Sequence, residues 1–540
     1  MTTPQREHFD AVVVGAGFAG MYMLHRLRQQ GLKVVVLEAG DDVGGTWYWN
    51  RYPGARCDVE SLEYSFSFDE DLQQAWRWSE RYAGQPEILR YINHVADRLD
   101  LRRDIRMNTR ATDAEFDPQA NRWTVLTQGG QSLQARFCIM ATGCLSNAQV
   151  PQIPGLADFK GRWFHTGFWP KEGVDFAGKR VGIVGTGSTG IQAIPLVAKQ
   201  AAHLSVFQRT ANYSIPLRNG PLTAQAEQAV KQRYAALREQ ARHSPSGVAG
   251  FNVPTRGVLQ TDPQEVEQAF QSRWDFGGIG FTRSFNDVLL KTEANTIARE
   301  FVVKRMLAPV TDPALRAKLT PTYPIGTKRL CADTGYFETY NRSNVSLVDI
   351  KADPIESITA TGLGTQQAHH DLDILIFATG FDAITGALLS VNMRVKGGSD
   401  LKTAWADGPR AYLGLMTAGI ANLFMITGPG SPSVLSNVVV SVEQHVEWIA
   451  DCMAHMRAQG INRIEASAHA QQDWGRQVDA LANASLLPHT ASWYVGANIP
   501  GKPRVFMPYM GGVGVFRRTC DEIARQGYTG FELTTVPEAA

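Results

Sequence analysis

The 540-residue sequence predicts an α/β fold with two Rossmann-like domains and a helical insertion in the second of them. Two glycine-rich turns, near residues 15 and 185, predict the two domains, because each follows a short apolar strand and precedes a helical pattern. The insertion is predicted at about residues 220 to 320, where helix-favouring composition is interrupted by the stretch SPSGVAGFNVPTRG.

The first unit runs from an apolar strand at residues 11 to 14 through the turn Gly15-x-Gly17-x-x-Gly20 into a helix and a second strand. Gly15 permits the turn, Gly17 lets the backbone approach a pyrophosphate, and Gly20 lets the helix close on the strand. The second strand ends in Glu38, which is placed to accept a hydrogen bond from a ribose hydroxyl. The pattern predicts a dinucleotide site, and an ordinary βα turn is the alternative.

The second unit, KRVGIVGTGSTGIQ, repeats this spacing with Gly185, Gly187 and Gly190. Its second strand ends in Gln-Arg-Thr, so Arg209 stands where the first unit has an acid. A carboxylate there would repel a 2′-phosphate, whereas a guanidinium pairs with it, so this site is predicted to prefer NADP(H). A solvated surface arginine is the alternative interpretation of Arg209.

Two dinucleotide sites that differ at this position predict two different cofactors, with FAD in the first site. The run GGTWYWNRYPGARCD, residues 44 to 58, supports FAD, because paired glycines and interleaved aromatic residues suit a loop that wraps a flat ring. Taken alone, Trp47, Tyr48 and Trp49 are more often packing residues than cofactor contacts.

Two further strands, at residues 137 to 143 and 371 to 380, both end in Ala-Thr-Gly. Small residues there let the chain pass close to a cofactor or cross between domains, so a nested order is predicted. The predicted domains are the first part of an FAD-binding domain at residues 1–146, an NADP-binding domain at 147–380 that carries the insertion, and the second part of the FAD-binding domain at 381–540.

The charges of the chain almost balance, with 53 lysines and arginines against 52 acidic residues. No overall field attracts nucleic acid or an anionic membrane, so a small-molecule partner is predicted. The apolar stretches are far shorter than the roughly 20 residues that span a bilayer, and the polar start lacks a signal-peptide pattern. Six cysteines without a C-x-x-C spacing argue against a zinc site and a dithiol redox centre, and a cytoplasmic protein is expected.

The segment FKGRWFHTGFWP lies just before the second unit. Phe159, Gly161, His165 and Trp169 fit the fingerprint F-x-G-x-x-x-H-x-x-x-W-P, so the chain resembles the FAD- and NADPH-dependent Baeyer–Villiger monooxygenases, the family of the phenylacetone, cyclohexanone and steroid monooxygenases. YPIGTKRL, ATGFDA, GPGSP and ASWYVGANIPGKPRVF also resemble family segments, so the resemblance covers nearly the whole chain. By itself His165 is more often a structural histidine, but beside two nucleotide sites the segment is predicted to couple the domains.

The resemblance implies that NADPH reduces FAD, that reduced flavin combines with O₂, and that the resulting flavin peroxide attacks a ketone to give an ester or lactone. The attacking species must stay anionic. A guanidinium ~4 Å from this anion, with an effective dielectric of ~20, stabilises it by about 4 kcal/mol. A helix N-terminus stabilises an anion by only about 0.3 to 1 kcal/mol. The resemblance implies that Arg329 sits over the flavin and that Asp58 orients it, so Arg329 is the predicted catalytic residue.

The resemblance also implies the residues around each cofactor. For FAD they are Gly15, Gly17, Gly20, Glu38, Thr46, Trp47, Tyr48, Trp49, Asp58, Tyr64, Ala111 and Val438. For NADP they are Arg56, Cys57, Gly185, Thr186, Gly187, Ser188, Thr189, Gly190, Ile191, Gln192, Arg209, Thr210, Lys328, Arg329 and Trp493.

Three other functions compete with this prediction. An N- or S-oxygenating flavin monooxygenase would use a protonated hydroperoxide, and the full fingerprint and the Lys328–Arg329 pair argue against it. A flavin disulfide reductase needs a dithiol that the cysteine spacing does not supply. A non-catalytic nucleotide-binding redox sensor would not need two complete dinucleotide sites.

Overall fold

The structure, a computed structural model, describes residues 7–250 and 254–537. In chain order the strands are β1 (Glu7–Val14), β2 (Val34–Leu37), β3 (Ile105–Arg106), β4 (Ala111–Asp117), β5 (Arg122–Thr127), β6 (Ser132–Met140), β7 (Arg162–His165), β8 (Arg180–Val184), β9 (His203–Gln208), β10 (Ser214–Pro216), β11 (Cys331–Asp333), β12 (Val345–Asp349), β13 (Ile355–Thr359), β14 (Gly362–Thr365), β15 (His369–Asp371), β16 (Ile374–Phe377), β17 (Asn392–Val395), β18 (Leu423–Met425), β19 (Arg463–Ala466) and β20 (Phe531–Thr534).

The α-helices lie between these strands, some singly and others in runs of two to five. In order they are α1 (Phe18–Gln29), α2 (Thr46–Trp49), α3 (Glu70–Ala75), α4 (Gln85–Arg98), α5 (Ser188–Ala198), α6 (Ala224–Lys231), α7 (Tyr234–His243), α8 (Pro263–Phe276), α9 (Thr292–Met306), α10 (Pro313–Leu319), α11 (Tyr336–Thr339), α12 (Gly386–Leu389), α13 (Leu401–Ala404), α14 (Val438–Ala458), α15 (Ala468–Asn483) and α16 (Val513–Arg525).

The larger sheet has eight strands in the order β17-β4-β5-β6-β1-β2-β3, with β18 also paired to β6. Strand β1 runs parallel to both of its neighbours, β2 and β6. Its side chains alternate between two apolar clusters, since Ala11 and Val13 face one and Val12 and Val14 face the other. Both faces of the strand are therefore covered, which explains the unbroken apolar run that the sequence shows.

The second large sheet has the order β12-β9-β8-β16-β7, and every pair in it is parallel. Its strands come from residues 162 to 377, whereas those of the larger sheet come from residues 7 to 140 and 392 to 425. The second sheet is thus inserted in sequence between two parts of the first, as the nested order predicts. The domain boundaries after residues 146 and 380 stay predictions.

The predicted helical insertion contains α6 to α10, but its helices pack against two different cores. Tyr234 of α7 lies in the apolar cluster of the first sheet, and Arg238 donates hydrogen bonds to the Glu63 carbonyl at 3.0 Å and to Ser65 at 2.7 Å. Phe270 of α8 and Phe301 of α9 lie in the cluster of the second sheet. The sequence assigned the whole insertion to the middle domain, whereas the packing divides it, because the partner of an amphipathic helix is chosen in three dimensions.

Several features are absent from the part of the chain that the structure describes. Residues 7–250 and 254–537 hold no helix whose length and apolar character suffice to cross a bilayer. The same residues hold no cluster of three or more His, Cys, Asp or Glu side chains placed to bind a metal ion. All six cysteines carry free thiols.

Candidate active site

The first glycine-rich turn joins β1 to α1 through contacts that admit no side chain. Gly15 has a φ of +103°, and a Cβ on Gly20 would lie 1.8 Å from the Gly15 carbonyl oxygen. Gly17 is the N-cap of α1, and no side chain caps this helix end. The free N–H groups of the first turn, with the positive end of the helix dipole, suit a pyrophosphate.

Glu38 follows β2 and is 4% exposed. Its carboxylate accepts hydrogen bonds from the backbone N–H of Ala16 and of Gly40, both at 2.7 Å. Burial raises the pKa of Glu38, and the two backbone donors oppose that rise. Because each carboxylate oxygen has a further lone pair, Glu38 can also accept from a ribose hydroxyl beside the turn.

The aromatic loop lies directly over the first turn. A Cβ on Gly45 would be 3.0 Å from the Gly17 Cα, so the two backbones are in contact. Trp47 Nε1 donates to the Tyr64 hydroxyl at 3.2 Å, and the Tyr48 hydroxyl donates to Asp41 at 2.7 Å. The remaining residues predicted for FAD are Thr46, which begins α2, Trp49, whose ring packs edge-on against Tyr48, Ala111, which begins β4, and Val438, which begins α14.

The second glycine-rich turn repeats the geometry of the first. Gly185 has a φ of +110°, and a Cβ on Gly190 would lie 2.2 Å from the Gly185 carbonyl oxygen. Gly187 is the N-cap of α5, and a Cβ there would meet no atom within 4 Å. The open space beside Gly187 therefore fits the pyrophosphate of a second dinucleotide.

Arg209 and Lys328 are cations that lie beyond the second turn. Arg209 follows β9 and is exposed, and Lys328 is partly buried. Burial lowers the pKa of Lys328, and the positive charge of Arg209 lowers it further. Within residues 7–250 and 254–537, neither side chain forms an ion pair with a carboxylate. Two neighbouring cations without an acid fit a 2′-phosphate, and the Thr210 carbonyl nearby is held by the Thr186 hydroxyl at 3.0 Å.

Arg329 and Asp58 form a bidentate ion pair. It joins the YPIGTKRL segment, which follows the helical insertion, to the aromatic loop of the first nucleotide unit. Arg329 Nε and Nη2 donate to the two Asp58 oxygens, each at 2.8 Å, and Nη1 donates to the Val434 carbonyl at 2.7 Å. The side chains of Arg329 and Asp58 stay 25% and 20% exposed. Burial lowers the pKa of Arg329, but the charge and hydrogen bonds of Asp58 outweigh that effect, so the net pKa is raised and the guanidinium stays charged.

The fingerprint segment lies where the chain crosses between the two sheets. His165 ends β7 and is 1% exposed; its Nδ1 accepts from the Gly167 N–H at 2.9 Å, and its Nε2 lies 3.3 Å from the Thr379 hydroxyl. A Cβ on Gly161 would be 2.4 Å from the Asp373 carbonyl, and Phe159 and Trp169 are buried in clusters of the second sheet. Burial lowers the pKa of His165 to about 4. A neutral, buried ring suits positioning rather than proton transfer.

The neutral state of His165 predicts a loss of stability in acid. An unfolded histidine has a pKa of about 6.5, so as the pH falls the unfolded state binds the proton first, and stability is lost from about pH 6.5 down to the folded pKa. At pH 5 the expected cost is about 2 kcal/mol. Melting curves of the wild type and of His165→Asn at pH 7.5 and 5 test this, because the variant should lose less stability between the two pH values. Burial also lowers the pKa of His445, to about 3, so this residue adds to the loss of stability in acid. Its contribution is the same in the wild type and the variant and does not affect the difference between them. Equal losses would contradict the prediction.

Three residues predicted for NADP have side chains that are hydrogen-bonded to protein groups or buried. The Arg56 guanidinium is bound by Glu80 and by the Tyr82 carbonyl. The Gln192 carboxamide is bound by Tyr52 and by the Arg56 carbonyl, and Cys57 is a buried thiol. Contact of these three with NADP stays a prediction. Trp493 is partly buried, and its ring packs 4.4 Å from the ring of Tyr494.

Three residues at the site were missed by the sequence interpretation. Val434 holds Arg329 through its backbone, which no sequence pattern marks. Tyr494 lies beside Arg329, where burial raises the tyrosine pKa to about 12 against the effect of the cation. Tyr52, in the RYPGARCD run, contacts α5. The aromatic character of Tyr52 and Tyr494, next to residues already predicted, was the only signal available.

Comparison with known proteins identifies the family. Residues 12–241 match the family model of the pyridine nucleotide-disulphide oxidoreductases. A Baeyer-Villiger monooxygenase of Pseudooceanicola batsensis is 42% identical over 526 residues, which cover 96% of this chain and 95% of the relative. The solved structure of an oxidised steroid monooxygenase bound to NADP is 50% identical, with a TM-score of 0.93 over 97% of this chain and 99% of that one. The chain belongs to the Baeyer–Villiger monooxygenase family.

Membership of the Baeyer–Villiger monooxygenases confirms the predicted family, the α/β fold with two dinucleotide-binding domains, and the assignment as an enzyme. A phenazine N-monooxygenase of Lysobacter antibioticus is also 38% identical, over 100% of this chain and 99% of the relative. The relatives that match nearly the whole of this chain thus include a protein named for oxidation at nitrogen.

Proposed function

We propose that this chain uses FAD and NADPH to insert one oxygen atom of O₂ beside the carbonyl of a ketone, giving an ester or lactone. The observation that carries the proposal is the Arg329–Asp58 pair, a permanent cation fixed between the two dinucleotide folds. Bound FAD would supply the oxygen-activating redox chemistry, and NADPH would supply the reducing hydride.

The two glycine-rich turns fit these cofactors. The first turn and Glu38 would hold the FAD pyrophosphate and ribose, with the aromatic loop around the flavin. The second turn would hold the NADPH pyrophosphate, and Arg209 with Lys328 would pair with its 2′-phosphate. The segments around residues 146 and 380 would then be the crossings between the FAD-binding and NADP-binding domains.

Arg329 would stabilise the negative charge that develops on oxygen as the ketone carbonyl is attacked. Asp58 and the Val434 carbonyl hold the guanidinium in one position, so little reorganisation is needed when the charge forms. Asp58 also weakens the net field of the cation. The partial exposure of both side chains leaves one side of the pair open to a small molecule.

Product analysis tests the proposal against oxidation at nitrogen or sulfur. The holoenzyme would be incubated with NADPH and a panel of ketones, thioethers and aromatic N-heterocycles, and the products identified by mass spectrometry. Esters or lactones from ketones, formed with matching NADPH consumption, support the proposal. N-oxides or sulfoxides without any ester would favour the competing function that the phenazine N-monooxygenase relative suggests. NADPH consumption with no oxygenated product would contradict both.

The 2′-phosphate assignment predicts a change of cofactor preference. Arg209→Ala should raise the KM for NADPH about tenfold, since one charge-assisted contact is lost while Lys328 remains, and should leave the KM for NADH nearly unchanged. Steady-state kinetics with both nucleotides measure this. Lys199→Ala removes an exposed cation that follows α5 and serves as the control. An unaltered preference in Arg209→Ala would remove Arg209 from the site.

We further propose a cytoplasmic location. The support is the state of the six cysteines, all of them free thiols, as expected in a reducing compartment.

A further inference from the structure

A partly buried network of hydrogen bonds joins the loop that follows α2 to helix α5. The Tyr52 hydroxyl donates to Gln192 Oε1 at 2.8 Å, and Gln192 Nε2 donates to the Arg56 carbonyl at 3.1 Å. Gln192 is 7% exposed. Because a carboxamide accepts through oxygen and donates through nitrogen, only this orientation satisfies both partners. Tyr52, Gly54 and Gln192 are called the interdomain clamp below.

Gly54 brings the two backbones into direct contact within the clamp. Its φ is +82°, and a Cβ there would lie 2.5 Å from the Gln192 carbonyl oxygen and 3.2 Å from a methyl group of Leu196. Both the conformation and the space exclude any residue with a side chain. The loop from the first unit therefore closes on the first two turns of α5 without intervening atoms.

Helix α5 is the helix that follows the second glycine-rich turn. It begins at Ser188, and Gln192 lies about one turn further on. The Tyr52 hydroxyl also interacts with the side chain of Thr189, in the first turn. A shift of α5 at the clamp would consequently move the turn that binds the nicotinamide nucleotide.

We propose that the interdomain clamp sets the position of α5 relative to the FAD-binding domain, so that Tyr52 and Gln192 are positioning residues for flavin reduction by NADPH. The proposal rests on the proposed function. It gives Gln192 a role in domain register, whereas the sequence assigned the residue to cofactor contact. The Lys171–Asp41 pair and the Arg329–Asp58 pair also join these parts; the first is 51% and 47% exposed, and the second does not involve α5. Exposed ion pairs contribute little, whereas the partly buried clamp contacts α5 itself and so positions this helix.

The test is stopped-flow reduction of the FAD-loaded enzyme by NADPH under anaerobic conditions. In Tyr52→Phe the limiting reduction rate should fall about tenfold, because small displacements of reacting groups are costly, while the dissociation constant for NADPH changes less than about threefold. A lower melting temperature with an unchanged limiting rate would mean that the tyrosine is only structural, and would overturn the proposal.

Tyr412→Phe is the matched control, since the Tyr412 hydroxyl donates to the Thr529 carbonyl at 3.1 Å and both residues lie in the C-terminal part of the chain. It should reduce at the wild-type rate, and an equal slowing in both variants would overturn the proposal. If Tyr52→Phe does not fold, Gln192→Met removes the same hydrogen bond by changing the residue on α5. The double variant should be no slower than the slower single variant, because residues that act as one unit do not have multiplicative effects; multiplied effects would contradict the clamp.

The outcomes separate this proposal from the proposed function. A wild type that NADPH does not reduce would overturn both. A normally reduced wild type together with a normally reduced Tyr52→Phe would overturn only the clamp.

Discussion

Arg329→Ala is expected to lower ester formation about a thousandfold while NADPH still reduces the flavin. A guanidinium at ~4 Å, with an effective dielectric of ~20, contributes about 4 kcal/mol to an adjacent anion, which corresponds to roughly three powers of ten in rate. Asp58 and partial solvent exposure make this figure an upper limit. Anaerobic stopped-flow reduction and ester yield, measured on the same preparation, separate the two steps.

Two control variants test whether the effect of Arg329→Ala comes from the charge of Arg329 or from its paired bonds to Asp58. Arg329→Lys keeps the charge but cannot reproduce the two parallel bonds to Asp58, so it should recover only part of the activity. Arg329→Ala combined with Asp58→Ala removes the uncompensated carboxylate and should restore stability without restoring ester formation. Near-normal ester formation in either alanine variant would remove Arg329 from the chemistry.

Gly187→Ala is expected to weaken NADPH binding about a hundredfold without destabilising the protein. A Cβ at Gly187 meets no protein atom within 4 Å, and the φ of −76° suits alanine. The same methyl group would occupy the space that a pyrophosphate needs, and two charge-assisted backbone bonds of about 1.5 kcal/mol each would be lost. Titration with NADP⁺ measures the affinity, and a melting curve measures the stability.

Gly190→Ala is the counterpart of this variant. Its Cβ would lie 2.2 Å from the Gly185 carbonyl oxygen, so α5 must move away from β8, and both stability and NADPH binding should fall. If Gly187→Ala binds NADP⁺ with the affinity of the wild type, the second glycine-rich turn does not hold the dinucleotide in the manner proposed.

Short sequence patterns predicted the two nucleotide units because the contacts that define each glycine-rich turn lie within a few residues of one another. Gly15 and Gly20 contact each other within six residues of sequence, and the close approach of 1.8 Å makes glycine obligatory there. The same holds for Gly185 and Gly190. The fingerprint was also visible, since Gly161 and His165 are fixed by the backbone geometry of a single short segment and the strand beside it.

The division of the insertion was not visible in the sequence. Helical periodicity in α7 shows that one face is apolar, but Tyr234 could pack on either sheet. The structure places it in the apolar cluster of the first sheet, where the Glu63 carbonyl and Ser65 also accept hydrogen bonds from Arg238. Likewise, no sequence pattern indicated that Arg56 and Gln192 already have protein partners.

The amino-acid sequence by itself determined the two glycine-rich turns and the resemblance to the family, and it predicted a cofactor preference from Glu38 and Arg209. The turns depend on backbone sterics within six residues, and the predicted preference depends on the charge about 20 residues further along the same unit. Only the tertiary structure decided that the Val434 carbonyl holds Arg329 across 105 residues and that Tyr52 reaches Gln192 across 140. Such contacts join segments whose separation in the chain carries no information about their distance, so they arise only when both sheets and the segments between them have packed.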